Sequence, residues 1–138
     1  MTVWTFDQVG EFLDDLADRF PQPLFEGLNG GVNLQEEAVE DPEFPPGEMY
    51  ILGEYCDDCL GNYINLYYGS FVALAEREEW DDAVWEDELA ITLSHELTHH
   101  MENRGGLHAL DDRDAEELAL WRQELQAREA EDAPKTEP

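Results

Sequence analysis

The sequence predicts an α+β fold in which a small mixed β-sheet packs against helices. Apolar residues recur at helical spacing near both ends of the chain, whereas β-branched and aromatic residues concentrate in its middle. Clusters of proline and glycine separate these stretches. A chain of 138 residues, of which 42% are hydrophobic, is long enough to form one domain with a buried core.

The first part of the chain predicts a helix, a turn and a strand. Apolar residues are spaced as on one side of a helix from Phe6 to Phe20, and two prolines directly afterwards end this helix. Residues 24–31 predict a short helical turn followed by a tight glycine turn. Residues 32–36 alternate apolar and polar side chains, which is typical of a half-buried strand.

The middle of the chain predicts a loop and a β-hairpin. Residues 40–47 contain three prolines and a glycine and therefore predict a loop. Two further strands are expected at about residues 49–55 and 62–69, because β-branched and aromatic residues concentrate there. A turn around residues 57–61 would join them as a hairpin.

The last part of the chain predicts two helices and a tail. Residues 82–104 carry leucines at helical spacing, and the glycine pair that follows is a natural helix end. A last helix is expected to begin at about residues 111–114 and to bury the apolar side chains after it. We therefore expect a single domain over residues 1–128 and a disordered acidic tail over residues 129–138.

The charge of the chain narrows the range of partners. The sequence has 35 acidic and 7 basic residues, which gives a formal net charge of −28. This charge repels phosphate backbones and anionic lipid headgroups, so neither nucleic acid nor a membrane is expected as a partner. Cationic peptides, basic proteins and metal ions fit the charge. The simpler interpretation is that the acidic surface only keeps the protein soluble.

The N-terminus and the two cysteines indicate a reduced, cytoplasmic protein. The first seven residues lack the basic stretch and long apolar run of a signal peptide, and no window approaches the roughly 18 apolar residues that span a bilayer. Cys56 and Cys59 form a single CxxC pair between two predicted strands, and no second pair completes a four-cysteine zinc site. We expect two reduced thiols near a turn.

The four histidines all lie between positions 95 and 108, and the first two belong to an HExxH motif on a predicted helix. His95 and His99 are one helical turn apart, so both imidazoles can reach one metal ion. They lie opposite the leucine stripe, towards a cleft. Glu96 points about 100° away, where it can act as general base on a metal-bound water. An exposed helix with solvated histidines is the alternative interpretation.

A catalytic zinc ion takes three protein ligands and keeps one position for water, so the motif needs a third ligand. The candidates follow the glycine pair, where the chain can fold back towards the helix: His108, Asp111, Asp112 and Asp114. Asp114, in the first turn of the last predicted helix, is the preferred one. Each of these aspartates has the alternative role of a helix N-cap. His100 points about 100° away from His99 and is expected to pack or hydrogen-bond behind the ligands.

These segments together resemble the minimal zincins, which are zincin-like metallopeptidases of bacteria. The resemblance covers most of the chain in order, from the opening helix and residues 24–37 to the strand at residues 50–55, residues 67–71 and residues 92–100. Its most specific feature is the doubled histidine in HExxHH. The resemblance implies a compact α+β domain with a zincin-like active-site helix, a zinc ion and peptidase activity.

The resemblance also implies a carboxylate as third ligand, from a pattern like HExxHxxGxxD. Residues 101–110 are longer than that pattern allows, which leaves the position of the third ligand open. Zincins often bind the substrate as an extra strand along the sheet edge above the metal helix. We expect residues 62–69 to form that edge. The tyrosines there, Tyr63, Tyr67 and Tyr68, are candidates for stabilising an oxyanion, although packing is the better interpretation of each.

Two functional hypotheses follow. The first is a zinc metallopeptidase in which Glu96 activates a zinc-bound water that hydrolyses a peptide bond. Its substrate would be a peptide or protein, and the acidic charge of the chain favours a basic one. The alternative is a catalytically weak binding module that keeps the fold, binds metal for stability and docks a basic protein on its acidic surface. Two imidazoles and one carboxylate also suit Fe(II) or another transition metal.

Overall fold

The computed structural model describes residues 3–59 and 61–105, together with the isolated helical positions 120, 123 and 127. The helices of the two continuous ranges are α1 (Phe6–Arg19), α2 (Tyr68–Glu78) and α3 (Asp82–Asn103), with a 3₁₀ turn at Gln22–Phe25. The strands are β1 (Val32–Gln35), β2 (Val39–Glu40), β3 (Tyr50–Ile51), β4 (Gly53–Asp58) and β5 (Gly61–Tyr67). The predicted α+β class, with a small mixed sheet packed against helices, is confirmed.

β5 is the central strand of a three-stranded sheet with the order β1–β5–β4. β1 runs parallel to β5 and pairs Val32 with Ile64, whereas β4 runs antiparallel to β5 and pairs Gly53 with Leu66. β2 and β3 form a separate antiparallel pair. Among the described residues β4 has a strand partner on one side only, and it packs against α3. One of the two edges of the sheet, that of β4, therefore lies beside α3.

α1 begins at a capping box formed by Thr5 and Gln8. The Thr5 hydroxyl accepts a hydrogen bond from the Gln8 N–H at 3.1 Å, and the Gln8 side-chain oxygen accepts one from the Thr5 N–H at 2.8 Å. This pairing satisfies two N–H groups that no helical carbonyl reaches. The helix ends before Phe20 and Pro21 and buries one apolar face in the core, made of Val9, Leu13 and Leu16.

α3 runs along the centre of the hydrophobic core. Asp81 caps its N-terminus by accepting a hydrogen bond from the Val84 N–H at 2.9 Å. The leucine stripe predicted from the sequence is fully buried, and it consists of Leu89, Leu93 and Leu97. Because this side of α3 is buried in the core, the helix cannot rotate about its axis. The side chains on the opposite side of α3 therefore point in a fixed direction.

Two strand predictions were wrong in their bounds. The strand expected at residues 49–55 is divided into β3 and β4 at Leu52, whose carbonyl accepts a hydrogen bond from the Tyr67 N–H at 2.9 Å. The strand expected at residues 62–69 ends at Tyr67, and α2, which was not predicted, begins at the next residue. A Cβ on Gly69 would lie 2.6 Å from the backbone nitrogen of Ala38, so glycine lets α2 start close to the chain before β2.

Several expectations concern residues that the structure does not describe. The last predicted helix, from about residues 111–114, and the acidic tail at residues 129–138 lie outside the described residues, apart from the three isolated helical positions. Among the helices that are described, none combines the length and the apolar composition needed to cross a membrane.

Candidate active site

α3 places His95 and His99 one turn apart on its exposed side, opposite the buried Leu93 and Leu97. The Nε2 atoms of the two imidazoles are 3.2 Å apart, and the ring planes meet at 87°. The one-turn spacing predicted for these histidines is therefore present: each ring brings one nitrogen to the same place on the helix surface.

The distance between these nitrogens fits a shared metal ion. Zinc–nitrogen bonds are about 2.0–2.1 Å long, so two ligands at a tetrahedral angle lie about 3.3 Å apart. The 3.2 Å between His95 and His99 agrees with this separation. The same distance also allows one ring to donate a hydrogen bond to the other when its Nε2 is protonated. The pair fits Zn²⁺ once both Nε2 atoms are free of protons.

Two histidines alone do not complete a zinc site. Within the described ranges no group of three or more His, Cys, Asp or Glu side chains is placed to hold a metal ion. The predicted third ligands lie outside the described residues, and they are His108, Asp111, Asp112 and Asp114. The third position therefore stays a prediction, with Asp114 as its preferred candidate.

Glu96 lies between α3 and the edge strand β4, and only 7% of its surface is exposed. Its carboxylate accepts a hydrogen bond from the backbone N–H of Tyr55. Burial raises the pKa of Glu96 above its ordinary value and the charge of Glu54 adds to this effect, whereas His95, His99 and the Tyr55 N–H lower the pKa. A carboxylate with a raised pKa accepts a proton more readily near pH 7, as a general base requires.

Two cavities meet at Glu96 and together form a cleft between α3 and the strands β3 and β4. One cavity of about 590 Å³ lies on the His99 side and is also lined by Tyr55. The other, of about 350 Å³, lies on the His95 side and is also lined by Gly53. Because Glu96 lines both, the candidate base lies at the middle of the cleft with one candidate ligand on either side.

His100 is fully buried and held at both ring nitrogens. Its Nε2 lies 2.8 Å from the carbonyl oxygen of Glu26, and its Nδ1 lies 2.9 Å from the Tyr55 hydroxyl. A carbonyl only accepts, so Nε2 carries the proton and Nδ1 accepts from Tyr55. Asn103 donates to the same hydroxyl at 3.1 Å. As predicted, His100 hydrogen-bonds behind the candidate ligands, and it connects α3 to β4.

The three tyrosines considered for an oxyanion site donate their hydroxyl protons elsewhere. The acceptors are Asp58 for Tyr63 at 2.8 Å, Glu54 for Tyr67 at 2.5 Å and the Trp4 carbonyl for Tyr68 at 2.6 Å. These bonds favour the packing interpretation given for each of them above.

The prediction that residues 62–69 form the sheet edge was wrong. β5 lies between β1 and β4, because its apolar side chains, which include Ile64 and Leu66, are buried in the core. The edge beside α3 belongs to β4. A Cβ on Gly53 would lie 2.7 Å from the Leu66 Cδ2 and 3.1 Å from the Thr92 Cγ2, so glycine lets the edge pass close over α3. Thr92 is almost one turn before His95, so this crossing brings the edge to the candidate ligands.

Comparison with solved structures identifies relatives of this chain. One is described as a conserved hypothetical protein from Thermus thermophilus; it is 35% identical, has a TM-score of 0.62, and the match covers 72% of this chain and 95% of that one. The chain belongs to the same family as that protein. No family model matches the sequence, and no curated protein matches it. The description of this relative names no activity.

Four residues on the His99 side of the cleft were not predicted from the sequence of this family member. Glu102 and Asn103 follow the second and third histidines at i+3 on α3, so helical spacing contained a signal for them. The Glu102 carboxylate lies 3.7 Å from Nδ1 of His99. Glu54 and Tyr55 reach the cleft through the pairing of β4 with β5, and no local pattern indicates that pairing partner.

The two cysteines of this family member are free thiols at the β4–β5 hairpin, as predicted. Cys56 lies near the end of β4 and Cys59 in the turn that follows. Burial raises the pKa of Cys56 above its ordinary value, and neighbouring carboxylates add to the shift. A raised pKa keeps the thiol protonated, which disfavours metal binding or nucleophilic chemistry there.

Proposed function

We propose that this protein is a zinc-dependent peptidase with a zincin-like active-site helix. His95 and His99 bind the metal, Asp114 is the preferred third ligand, and Glu96 is the general base. The observation that carries this proposal is the 3.2 Å between the two Nε2 atoms beside a carboxylate that is nine-tenths buried. Two histidines that are merely solvated on a surface helix do not require their Nε2 atoms to converge beside a buried carboxylate.

The chemistry divides between the metal and the side chains. A bound zinc ion supplies a Lewis acid that polarises a carbonyl and makes a water more acidic. Glu96 takes the proton of the attacking water and delivers it to the leaving nitrogen. The water oxygen bonds to the carbonyl carbon, the C–N bond breaks, and the products are a carboxyl group and an amine.

The Tyr55 N–H and the Glu102 carboxylate support the catalytic groups from behind. The N–H holds the Glu96 carboxylate against β4, which keeps it beside the cleft between the histidines. Glu102 lies 3.7 Å from Nδ1 of His99, on the side away from the shared point. This separation exceeds a hydrogen-bond distance, so Glu102 acts on His99 through its negative charge.

The free edge of β4 offers a place for a peptide substrate. Successive residues of a strand direct their N–H and C=O groups to opposite edges. Because the Tyr55 N–H faces Glu96, the backbone groups of Gly53 face the same way, beside the cavity next to His95. An extended peptide that pairs with Gly53 lies across the candidate ligands.

The proposal is tested with metal-loaded protein purified without a polyhistidine tag. Elemental analysis should give one zinc ion per chain, and His95→Ala and His99→Ala should lose it. Glu96→Gln should keep the zinc and lower peptide-library cleavage by about 10²- to 10⁴-fold, the range for removal of a general base. Glu86→Gln is the matched control, since Glu86 is exposed on the same helix and lines neither cavity.

Two results would contradict the proposal. Undiminished cleavage by Glu96→Gln removes Glu96 from the mechanism, and zinc retained by the double variant His95→Ala/His99→Ala removes the metal site. If elemental analysis finds one iron per chain in place of zinc, the metal of the site is Fe(II), the alternative given above.

The binding module remains the second candidate, and the net charge of −28 favours it. In that case zinc-loaded protein cleaves no peptide in a broad library, and Glu96→Gln binds a basic partner as tightly as the wild type. The interaction also weakens as salt is added, because exposed charges are screened.

A further inference from the structure

The two halves of the cleft differ in chemistry. The half beside His99 is lined by carboxylates, and neither lysine nor arginine is among its lining residues. The half beside His95 has aliphatic side chains from Ile51, Leu52 and Ile91, and among the described residues its one carboxylate besides Glu96 is that of Asp41. Since Glu96 lies at the junction, a substrate that extends along the cleft meets a different environment on each side of the base.

Glu54 is the carboxylate built into the wall of the first half. It lies on β4 and is exposed, and its carboxylate accepts a hydrogen bond from the Tyr67 hydroxyl at 2.5 Å. Tyr67 is itself only 7% exposed, so the donor is held by the core and fixes the carboxylate at the cleft. The charge of Glu54 contributes to the raised pKa of Glu96, so the two carboxylates are close enough to repel each other.

Glu102 contributes to the same half but has a different partner. Its side chain is 67% exposed and lies 3.7 Å from Nδ1 of His99. Its charge therefore acts on the histidine as well as adding to the field of the cavity. This leaves Glu54 as the carboxylate that faces the cavity without a histidine partner.

The second half suits an apolar side chain. Tyr50, Ile51 and Leu52 line it from the strands, and Ile91 lines it from α3. Gly53 adds no side chain there, because a Cβ at this position has no room next to Leu66 and Thr92. The position of Gly53 is closed by these two side chains, so this half contacts a substrate through its apolar lining residues.

Resting on the function proposed above, we infer that the cleft selects peptides with a cationic nitrogen on the His99 side of the scissile bond and an apolar side chain on the His95 side. Glu54 is the residue that determines the specificity for the cation. The cationic nitrogen belongs to a lysine or arginine side chain or to a free amino terminus. An anionic peptide is rejected, since Glu54, Glu96 and Glu102 together repel it.

The inference is tested with matched peptides that carry lysine or norleucine on one side of the cleaved bond. Each is prepared with a free and with an acetylated amino terminus, and kcat/KM is measured with zinc-loaded protein. The wild type should prefer the cationic peptide by about two- to fivefold, which is the range for one ion pair with an exposed carboxylate. Loss of the preference on acetylation assigns the cation to the amino terminus, and loss with norleucine assigns it to the side chain.

Glu54→Gln is the decisive variant, because glutamine keeps an oxygen for the Tyr67 hydroxyl and removes only the charge. The ratio of kcat/KM for cationic over neutral peptides should fall by about two- to fivefold in this variant and remain unchanged in Glu86→Gln. A ratio that Glu54→Gln leaves unchanged overturns the inference, as does a wild type with no preference for the cation.

Failure of the inference is distinguishable from failure of the peptidase proposal. Fluorescence anisotropy measures the binding of the same peptides to zinc-loaded Glu96→Gln. It reports the preference for a cationic peptide in the absence of cleavage. If no peptide is cleaved but the cationic peptides bind more tightly in a Glu54-dependent way, catalysis fails and the inference stands. If peptides are cleaved with no such dependence in rate or binding, the inference fails and catalysis stands.

Discussion

The Tyr55 hydroxyl lies 2.9 Å from Nδ1 of the buried His100, and the backbone N–H of the same tyrosine is donated to Glu96. One residue of the edge strand thus joins the histidine behind the candidate ligands to the candidate base. The side chain and backbone of Tyr55 connect β4 to α3 at two separate points, so the strand cannot shift without moving the base.

Tyr55→Phe tests this connection. The substitution leaves Nδ1 of the buried His100 without its donor, and an unsatisfied buried acceptor costs about 1–3 kcal/mol. We expect that loss in the free energy of unfolding, together with a lower kcat at unchanged zinc content. Chemical denaturation and elemental analysis measure the two effects. Tyr63→Phe is the control, since its hydroxyl bonds to the exposed Asp58, and it should change stability by less than about 0.5 kcal/mol.

A Tyr55→Phe protein as stable as the wild type would show that His100 finds another donor. The hydrogen-bond pattern also predicts one tautomer, with the proton of the neutral ring on Nε2. Nitrogen-15 NMR of the imidazole distinguishes the two tautomers directly, and a protonated Nδ1 with a bare Nε2 would contradict the assignment.

Glu96→Gln should stabilise the metal-free protein at neutral pH. Burial raises the pKa of Glu96 in the folded state above its unfolded value, so the folded protein holds this proton more tightly. The associated stability is fully present below the unfolded pKa and is lost as pH rises through the folded pKa. At pH 7 the ionised carboxylate therefore costs stability, and Glu96→Gln should gain about 0.5–2 kcal/mol.

Urea unfolding of the two metal-free proteins at pH 4 and pH 7 provides the measurement. The gain should be present at pH 7 and shrink towards pH 4, where the wild-type carboxyl is also neutral. A variant that is less stable than the wild type at pH 7 would mean that the hydrogen bond from Tyr55 outweighs the burial of the charge.

Glu54→Gln should move the acid limb of the activity profile to lower pH. The acid limb of kcat/KM reports the pKa of the free enzyme's base. Burial is the main cause of the raised pKa of Glu96, and the charge of Glu54 adds to it. Removing that charge lowers the pKa, so the base stays ionised at more acidic pH. A neutral peptide at saturating zinc gives the profile, and a shift in the opposite direction would refute the coupling.

Gly53→Ala should destabilise the protein by overpacking. The added Cβ would lie 2.7 Å from the Leu66 Cδ2, and crowding of this kind costs about 1–3 kcal/mol. Gly10→Ala is the opposite case, because the helical Gly10 has its nearest heavy atom, Leu34 Cδ2, at 4.0 Å. Alanine there should add roughly 0.5–1 kcal/mol. Thermal or urea unfolding of the two variants compares them, and equal stabilities would contradict the close approach of β4 to α3.

Helical periodicity was sufficient to predict α1 and α3 to within one or two residues. The apolar stripes from Phe6 onwards and from residue 82 onwards are local patterns. Such a pattern can be recognised from the residues of the helix alone, without knowing what packs against it. The same periodicity placed His95 and His99 together and Glu96 beside them. The existence of α2 was missed because the two aromatic residues Tyr67 and Tyr68 extend the strand-like composition of β5 past its end.

Strand neighbours could not be predicted in the same way. Residues 62–69 have the composition of a strand, but composition does not state whether a strand lies at the edge or in the centre of a sheet. That position depends on β1, about 30 residues earlier, which pairs with β5 on the side away from β4 and so makes β5 the central strand.

By itself, the sequence determined α1, α3, the α+β class and the pair of imidazoles one turn apart, because each depends on neighbours within a few residues of the chain. Only the tertiary structure decided which strand borders α3, and hence that Glu54 and Tyr55 enter the cleft. It also decided that Glu96 is buried, since burial is a sum over contacts from distant segments that no local pattern contains.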